Sequence, residues 1–440
     1  MQLKFENIGK VRQANIEING ITIVAGENNT GKSTVGKVLF CIFNSFFDVK
    51  NRILIERSSE VESLLLRIMS TLYSGRDMSQ FIYRSMEEMI EFADELLENK
   101  VVYSKNKNKL IEDIIGYFKK DTENPLEDDL MNEVLNYIKN MYSYLSISDH
   151  DILKKALEKK MRNEFDGQIN NIFVEDCTAH IDLRVKENVF KIDIKNDNIV
   201  YMDKVKCLNS ELIYLDDPFI LDDLSKQILF LREKSRNDIS HKEHLREKLL
   251  QLDDKQSDIK NIITEIISTD KIKKVVEKME TICPGSVVFE NRKLGYKNQE
   301  SDNILSLKNL STGLKTFVIV KTLLERGAIG DNATLVLDEP EIHLHPQWQI
   351  VFAELIVLLQ KEFNLHILLN THSPYFLEAI EVYSQKHNIS EKCKYYLAEN
   401  TGDGQAEILD VTDNIKLIYK KLAEPFQTLV DIAYDNNQLV

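Results

Sequence analysis

The chain has 440 residues, 56 Lys and Arg against 71 Asp and Glu for a formal net charge of −15, and 43% hydrophobic residues. That balance describes a globular protein of two or three domains, or one large domain with insertions, and excludes a disordered or fibrous chain. So acidic a protein does not coat nucleic acid over its whole surface, although a local basic strip is compatible with it.

Residues 1–24 alternate apolar and polar positions and end in a short apolar strand, Ile21-Thr22-Ile23-Val24, bounded by Gly20 and Gly26. From Val35 to about Arg162 the spacing is helical, with Leu64, Leu65, Ile68 and Leu72, then Met86, Ile90, Phe92 and Leu96. Between Ile172 and Met202 the period changes to two, as in Ile181-Asp182-Leu183-Arg184-Val185 and Phe190-Lys191-Ile192-Asp193-Ile194, which predicts a small antiparallel meander. An apolar strand, Leu212 to Leu215, precedes a charged helical stretch from Ile220 to Glu280 with packing positions at Leu229, Leu231, Leu245, Leu249, Leu250, Ile262 and Ile266. From Asn309 the pattern alternates: helix 311–326, strand 333–338, helix 346–362, strand 365–370 and helix 374–387. Such alternation predicts an α/β fold with a parallel sheet covered by helices. Two closing strands over 395–411 and one or two helices over 413–435 complete it.

No apolar run approaches the roughly 18 residues of a membrane helix. The start, Met1-Gln2-Leu3-Lys4-Phe5-Glu6, lacks the blocks of a secretory signal. The five scattered cysteines, Cys41, Cys177, Cys207, Cys283 and Cys393, match neither a disulfide framework nor paired zinc ligands. A cytoplasmic location, with no membrane partner, is the expectation.

The segment Gly26-Glu27-Asn28-Asn29-Thr30-Gly31-Lys32-Ser33-Thr34 satisfies G-x-x-x-x-G-K-[ST] after a predicted strand and before a helix. Its backbone N–H groups form an anion cradle, the helix N-terminus adds about half a positive charge, Lys32 reaches the outer phosphates and Ser33 holds Mg²⁺. Thr334-Leu335-Val336-Leu337-Asp338-Glu339-Pro340 is an apolar strand ending in two carboxylates at the edge where nucleotides bind in open α/β sheets. There Asp338 binds Mg²⁺ through water and Glu339 polarises the attacking water.

These residues resemble the ABC/SMC-type ATPases, including RecF-like repair proteins and the OLD-type and Septu PtuA-like ATPases of antiphage systems. Leu310-Ser311-Thr312-Gly313-Leu314-Lys315 is similar to that family's signature motif, with Leu314 where the family usually has Gly, Glu or Gln. Leu337 to Pro346 (LDEPEIHLHP) resembles the extended Walker B and D-loop of the OLD and RecF branch, and Leu369-Asn370-Thr371-His372-Ser373-Pro374 its switch-histidine segment. The resemblance covers residues 1–45 and 300–400 firmly, while the intervening stretch of about 255 residues is shared only in being a helical insertion. It implies an ABC-type head with a mixed, largely parallel sheet at 1–45 and 284–412, a helical insertion at 46–171, a β meander and strand at 172–218, a second helical insertion at 219–283 and a helical tail at 413–440. It also implies ATP and Mg²⁺ as cofactors and Glu339 as general base. His372 senses the γ-phosphate, and Ser311 and Gly313 face the nucleotide of a second copy, so that one chain does not complete a site.

Other candidates have two readings. His343 and His345 are either a metal pair or part of the D-loop. Asp216 and Asp217 either reach the magnesium or form a turn and cap. Lys154, Lys155, Lys159, Lys160 and Arg162, with the charged run from Arg232 to Lys248, are read as solvated helix faces or contacts to DNA phosphates. Neither Gln80 nor Gln168 has the context of a Q-loop glutamine. The 68 residues after His372 are read as too few for the nuclease domain that OLD proteins carry. The expectation is an ATPase acting through nucleotide-sandwich dimers on a separate effector, an HNH-type nuclease in antiphage defence, or alternatively a RecF-like clamp on DNA.

Overall fold

The computed structural model describes residues 1–72, 82–119, 128–204, 206–227, 239–250, 271–290, 293–298 and 303–438. Alternation of apolar and polar residues makes β1 (Gln2–Ile8) and β2 (Val11–Glu17) an antiparallel pair with one face covered, whereas β3 (Ile21–Gly26) is buried at all six positions. The chain leaves β3 through the glycine-rich loop into α1 (Lys32–Phe46).

Next come α2 (Val49–Leu72), α3 (Ile82–Glu98), α4 (Lys100–Tyr103), α5 (Lys107–Lys119), α6 (Asp128–Ser146) and α7 (Asp149–Glu164). Residues 48–155 form a compact unit, and residues 1–47 with 156–440 form another. The smaller unit has its own core, in which Val61, Leu65 and Ile68 of α2, Ala93 and Leu96 of α3, and Ile138 and Met141 of α6 are fully buried at helical spacing.

In the larger unit the meander is β4 (Thr178–Val185), β5 (Asn188–Lys195) and β6 (Asn198–Met202). The turn between β5 and β6 places both Asn196 and Asp197 at positive φ, 50° and 58°, the conformation a two-residue hairpin turn requires. Then follow β7 (Leu212–Leu215), α8 (Ile220–Gln227), α9 (His241–Leu250) and α10 (271–280). Parts of the expected helical stretch, 228–238 and 251–270 with Leu229, Leu231, Ile262 and Ile266, lie outside the described residues, as does Gln80. A three-stranded antiparallel sheet of β8 (Gly285–Glu290), β9 (Lys293–Asn298) and β10 (Ile304–Leu305) was not anticipated from the pattern.

Beyond it the expected alternation is present: α11 (Thr312–Glu325), β11 (Thr334–Asp338), α12 (Pro346–Phe363), β12 (His366–Thr371), α13 (Pro374–Lys386), β13 (Cys393–Asn400), β14 (Ala406–Asp410) and α14 (Lys416–Gln438). The large sheet has the order β6-β5-β4-β1-β2-β14-β13-β3-β12-β11-β7. It is mixed: β13, β3, β12, β11 and β7 are parallel to one another, and the meander side is antiparallel. Phe317, Ile319 and Leu323 of α11, Phe352 and Ile356 of α12 and Phe376 of α13 pack in one core with Ile23, Leu337 and Leu369 of the sheet. No helix among the described residues is long and apolar enough to cross a membrane.

Lys160 departs from the solvated face read from the sequence. It is 2% exposed, with Nζ 5.2 Å from the centre of the Phe40 ring, an aromatic face that partly replaces its water.

Helix α1 lies close to the sheet because position 36 carries no side chain. A Cβ on Gly36 would stand 2.8 Å from Val336 Cγ1 and 3.2 Å from Cζ of Tyr214. In Gly36→Ala the helix gains about 1 kcal/mol of propensity, but the added methyl meets two buried groups, and overpacking costs about 1–3 kcal/mol. We expect a lower melting temperature by differential scanning calorimetry; a rise would mean that propensity dominates and that the helix is not pressed on the strands.

Candidate active site

Strand register brings the motifs together. Val24 of β3 pairs with Asn370 of β12, Ala25 with Thr371, and Asp338 of β11 with Asn370, so three parallel strands end level with one another. The loop leaving β3 alternates its handedness, with Asn29 at φ 61° and Gly31 at φ 79°, which turns successive N–H groups to one side. The Thr30 hydroxyl donates to the Glu27 carbonyl at 2.8 Å, and Lys10 Nζ donates to the Asn29 carbonyl at 2.8 Å. Gly31 must be glycine, since a Cβ would lie 2.4 Å from Val11 Cγ2. Asn28 and Asn29 are exposed on the loop, while Ser33 and Thr34 are half-buried in the first turn of α1.

Lys32 is 5% exposed and folds over this loop, donating to the carbonyls of Gly26 (3.0 Å) and Glu27 (2.7 Å). Its Nζ also stands 3.3 Å from Oε1 of Glu339, and the same oxygen stands 3.3 Å from His372 Nδ1. One carboxylate thus sits between an ammonium group and an imidazole from different motifs. Glu339 is at φ 50°, a left-handed conformation held in part by its N–H donating to the Asn370 carbonyl at 2.9 Å. The His372 imidazole beside it, against the opposing effect of burial and with help from the Lys32 charge, holds the Glu339 carboxyl below the usual glutamate range. The same carboxylate raises His372 above the usual histidine range.

Asp338, 9% exposed, accepts from Asn370 Nδ2 on Oδ1 (2.8 Å) and from the Tyr214 hydroxyl on Oδ2 (2.7 Å). Behind His372 lies Glu341, 1% exposed, whose Oε1 accepts from the Thr371 hydroxyl (2.5 Å) and the His372 N–H (3.3 Å). Burial pushes its carboxyl up, and it ties the turn after β11 to the end of β12. No local pattern marks these supports: Tyr214 reads as a core residue of its strand, and Glu341 as one more acid in a charged loop.

Ser311 is the exposed N-cap of α11 and makes no side-chain capping bond, which leaves its hydroxyl available. Gly313, in the first turn, is buried so tightly that a Cβ would lie 3.1 Å from both the His343 carbonyl and the Trp348 ring. His343 stands edge-on to Phe219 with ring centres 5.5 Å apart, and His345 caps α12 by accepting from the Gln347 N–H at 3.4 Å. Among the described residues no group of three or more His, Cys, Asp or Glu is placed to hold a metal ion. Asp217 accepts from the Phe219 N–H at 2.8 Å, making the turn, whereas Asp216 at the end of β7 meets His241 Nε2 at 3.0 Å.

The family described as the AAA ATPase domain matches residues 1–377. This chain belongs to it. An OLD nuclease of Thermus scotoductus is 31% identical over 91 residues, which span 20% of this AAA ATPase chain and 17% of that relative's length. Among solved structures, the SMC head domain of Thermotoga maritima is similar at 10% identity, covering 93% of this chain and 98% of that one, with a TM-score of 0.38. The Smc head domain of Pyrococcus furiosus, bound to the C-terminal domain of ScpA, has 12% identity, coverage of 95% and 98%, and a TM-score of 0.40.

If the Glu339–His372 pair forms in solution, the His372 imidazole titrates above 6.5 in NMR and falls when its partner is neutralised. In Glu339→Gln, burial and the Lys32 charge then act unopposed by that carboxylate. An unchanged His372 titration in this variant would dissolve the pair.

Proposed function

We propose that this AAA ATPase binds ATP with Mg²⁺ and hydrolyses it in a site that a second copy of the chain completes. We infer further that the cycle governs a separate effector, an HNH-type nuclease in antiphage defence of the Septu kind. The observation that carries the first part is the meeting of Lys32, Glu339 and His372 at one sheet edge, with Asp338 held beside them. The effector half rests on the motif resemblance and on the stretch shared with an OLD nuclease.

In this reading the turned N–H groups of residues 28–34 cradle the phosphates, and Lys32 exchanges its carbonyl partners for phosphate oxygens. Ser33 and Asp338 offer the hydroxyl and carboxylate oxygens that suit magnesium, a hard cation that keeps several of its waters. Bound there, the ion neutralises charge that develops on the phosphoryl oxygens. Glu339 takes the proton of the attacking water. Its pairing keeps it ionised, and once Lys32 turns to the phosphates the carboxylate loses one of the charges that depress its basicity, which moves it toward a working base. His372 contacts the γ-phosphate, so its loss is felt at Glu339 and, through the His372 N–H, at Glu341. Ser311 and Gly313 present a hydroxyl and helix-end N–H groups to the nucleotide of the other copy.

Two measurements test this. Glu339→Gln should lower steady-state phosphate release by roughly 100-fold or more while retaining ATP and stabilising the oligomer seen by light scattering. Lys32→Ala and Ser311→Arg should each be inactive alone, yet recover hydrolysis when mixed, because one intact composite site forms from the two unaltered halves. A mixture as inert as its components would remove the second copy from the site.

A further inference from the structure

A buried set of charges surrounds His241 at the start of α9. Its backbone N–H donates to Glu164 Oε1 at 2.7 Å, its Nδ1 lies 2.6 Å from Glu164 Oε2, and its Nε2 lies 3.0 Å from Asp216 Oδ2. Lys242 Nζ stands 3.5 Å from the same Asp216 oxygen. Burial pulls the imidazole down, but the bonds to Asp216 and Glu164 outweigh it and hold the group up at about 9, so it is a cation at neutral pH. Glu164 ends α7, Asp216 follows β7 and His241 opens α9, so one ring joins three elements.

The ring also stacks on Tyr214, with centres 4.5 Å apart and planes 27° apart. Tyr214 has little room to move. Gly36 of α1 lies beneath it, close enough that a Cβ there would stand 3.2 Å from the tyrosine hydroxyl, and Phe40 flanks it at 6.5 Å. What this seating controls is the hydroxyl, which donates to Oδ2 of Asp338 at 2.7 Å. With Asn370 on the other oxygen, the carboxylate is fixed against rotation about its terminal torsion, a soft degree of freedom in aspartate.

We propose that Tyr214 and His241 are positioning residues for the metal site: the imidazole, pinned between Glu164 and Asp216, seats the tyrosine ring so that its hydroxyl orients Asp338. The inference rests on the reading of Asp338 as a magnesium ligand. It makes the C-terminal end of α7 and the N-terminal end of α9 part of what sets metal affinity.

The probe is Mn²⁺, titrated into the full chain with a non-hydrolysable ATP analogue and followed by electron paramagnetic resonance. Tyr214→Phe keeps the ring and removes only the hydroxyl. It should weaken Mn²⁺ binding about tenfold, the loss expected for one hydrogen bond to a charged group. Nucleotide affinity in EDTA should stay close to wild type, and circular dichroism should show the fold retained. His241→Phe, which keeps a stacking ring without the charge, should shift Mn²⁺ binding the same way. Wild-type Mn²⁺ affinity in Tyr214→Phe overturns the proposal even if His241→Phe fails to fold. Asp338→Asn separates the two levels: if it abolishes Mn²⁺ binding while Tyr214→Phe leaves it intact, only the positioning role falls. If Asp338→Asn binds Mn²⁺ as wild type does, the metal-site reading falls with it.

Discussion

Register between parallel strands is the constraint on which the rest depends. β3, β12 and β11 are buried on both faces, and a slip of one residue would send every side chain of a strand to the opposite face. With Asp338 opposite Asn370 and Thr371 opposite Ala25, the strands stop at a common edge. The polar groups at that edge, from the glycine-rich loop to His372, are delivered by the last residues of a strand or by the turn that follows it. The hydrophobic core therefore places the chemistry although none of its own residues takes part.

At the edge, local strain and charge pairing offset each other. A left-handed glutamate costs about 1–2 kcal/mol of backbone energy. Here the conformation aims the Glu339 carboxylate between Lys32 and His372 and lets its N–H reach the Asn370 carbonyl. The buried Glu341 gives the arrangement its stiffness by bonding the side chain and backbone at 371–372.

Much of this was legible in the sequence. The phosphate loop, the Asp338-Glu339 pair and the helix–strand alternation after 309 are encoded by local rules, namely period, glycine placement and strand-end carboxylates, and the structure has those elements where the periodicity places them. Other features depend on long-range neighbours. Tyr214 meets Asp338 only because β7 joins β11 at the edge of the sheet, 124 positions away in sequence, and nothing within Leu-Ile-Tyr-Leu signals it. Glu164, Asp216 and His241 are spread over three elements, so their junction has no spacing to recognise. Lys160 reads as one of a basic cluster until Phe40 is seen beneath it. The β8–β10 sheet is not legible because Gly285-Ser286-Val287-Val288-Phe289-Glu290 does not alternate, Gly295 interrupts the apolar positions of β9, and β10 has only two residues.

The two carbonyls that engage Lys32 also bear on what the loop accepts. An incoming anion must displace the bonds to Gly26 and Glu27 before it gains the ammonium group. A lone orthophosphate trades one set of contacts for another of similar strength. A polyphosphate chain reaches the ammonium group and the row of N–H groups at once, and that chelate advantage tips the exchange. On the ATPase reading proposed above, the loop favours a polyphosphate over a lone orthophosphate, and the phosphate released keeps little hold on it.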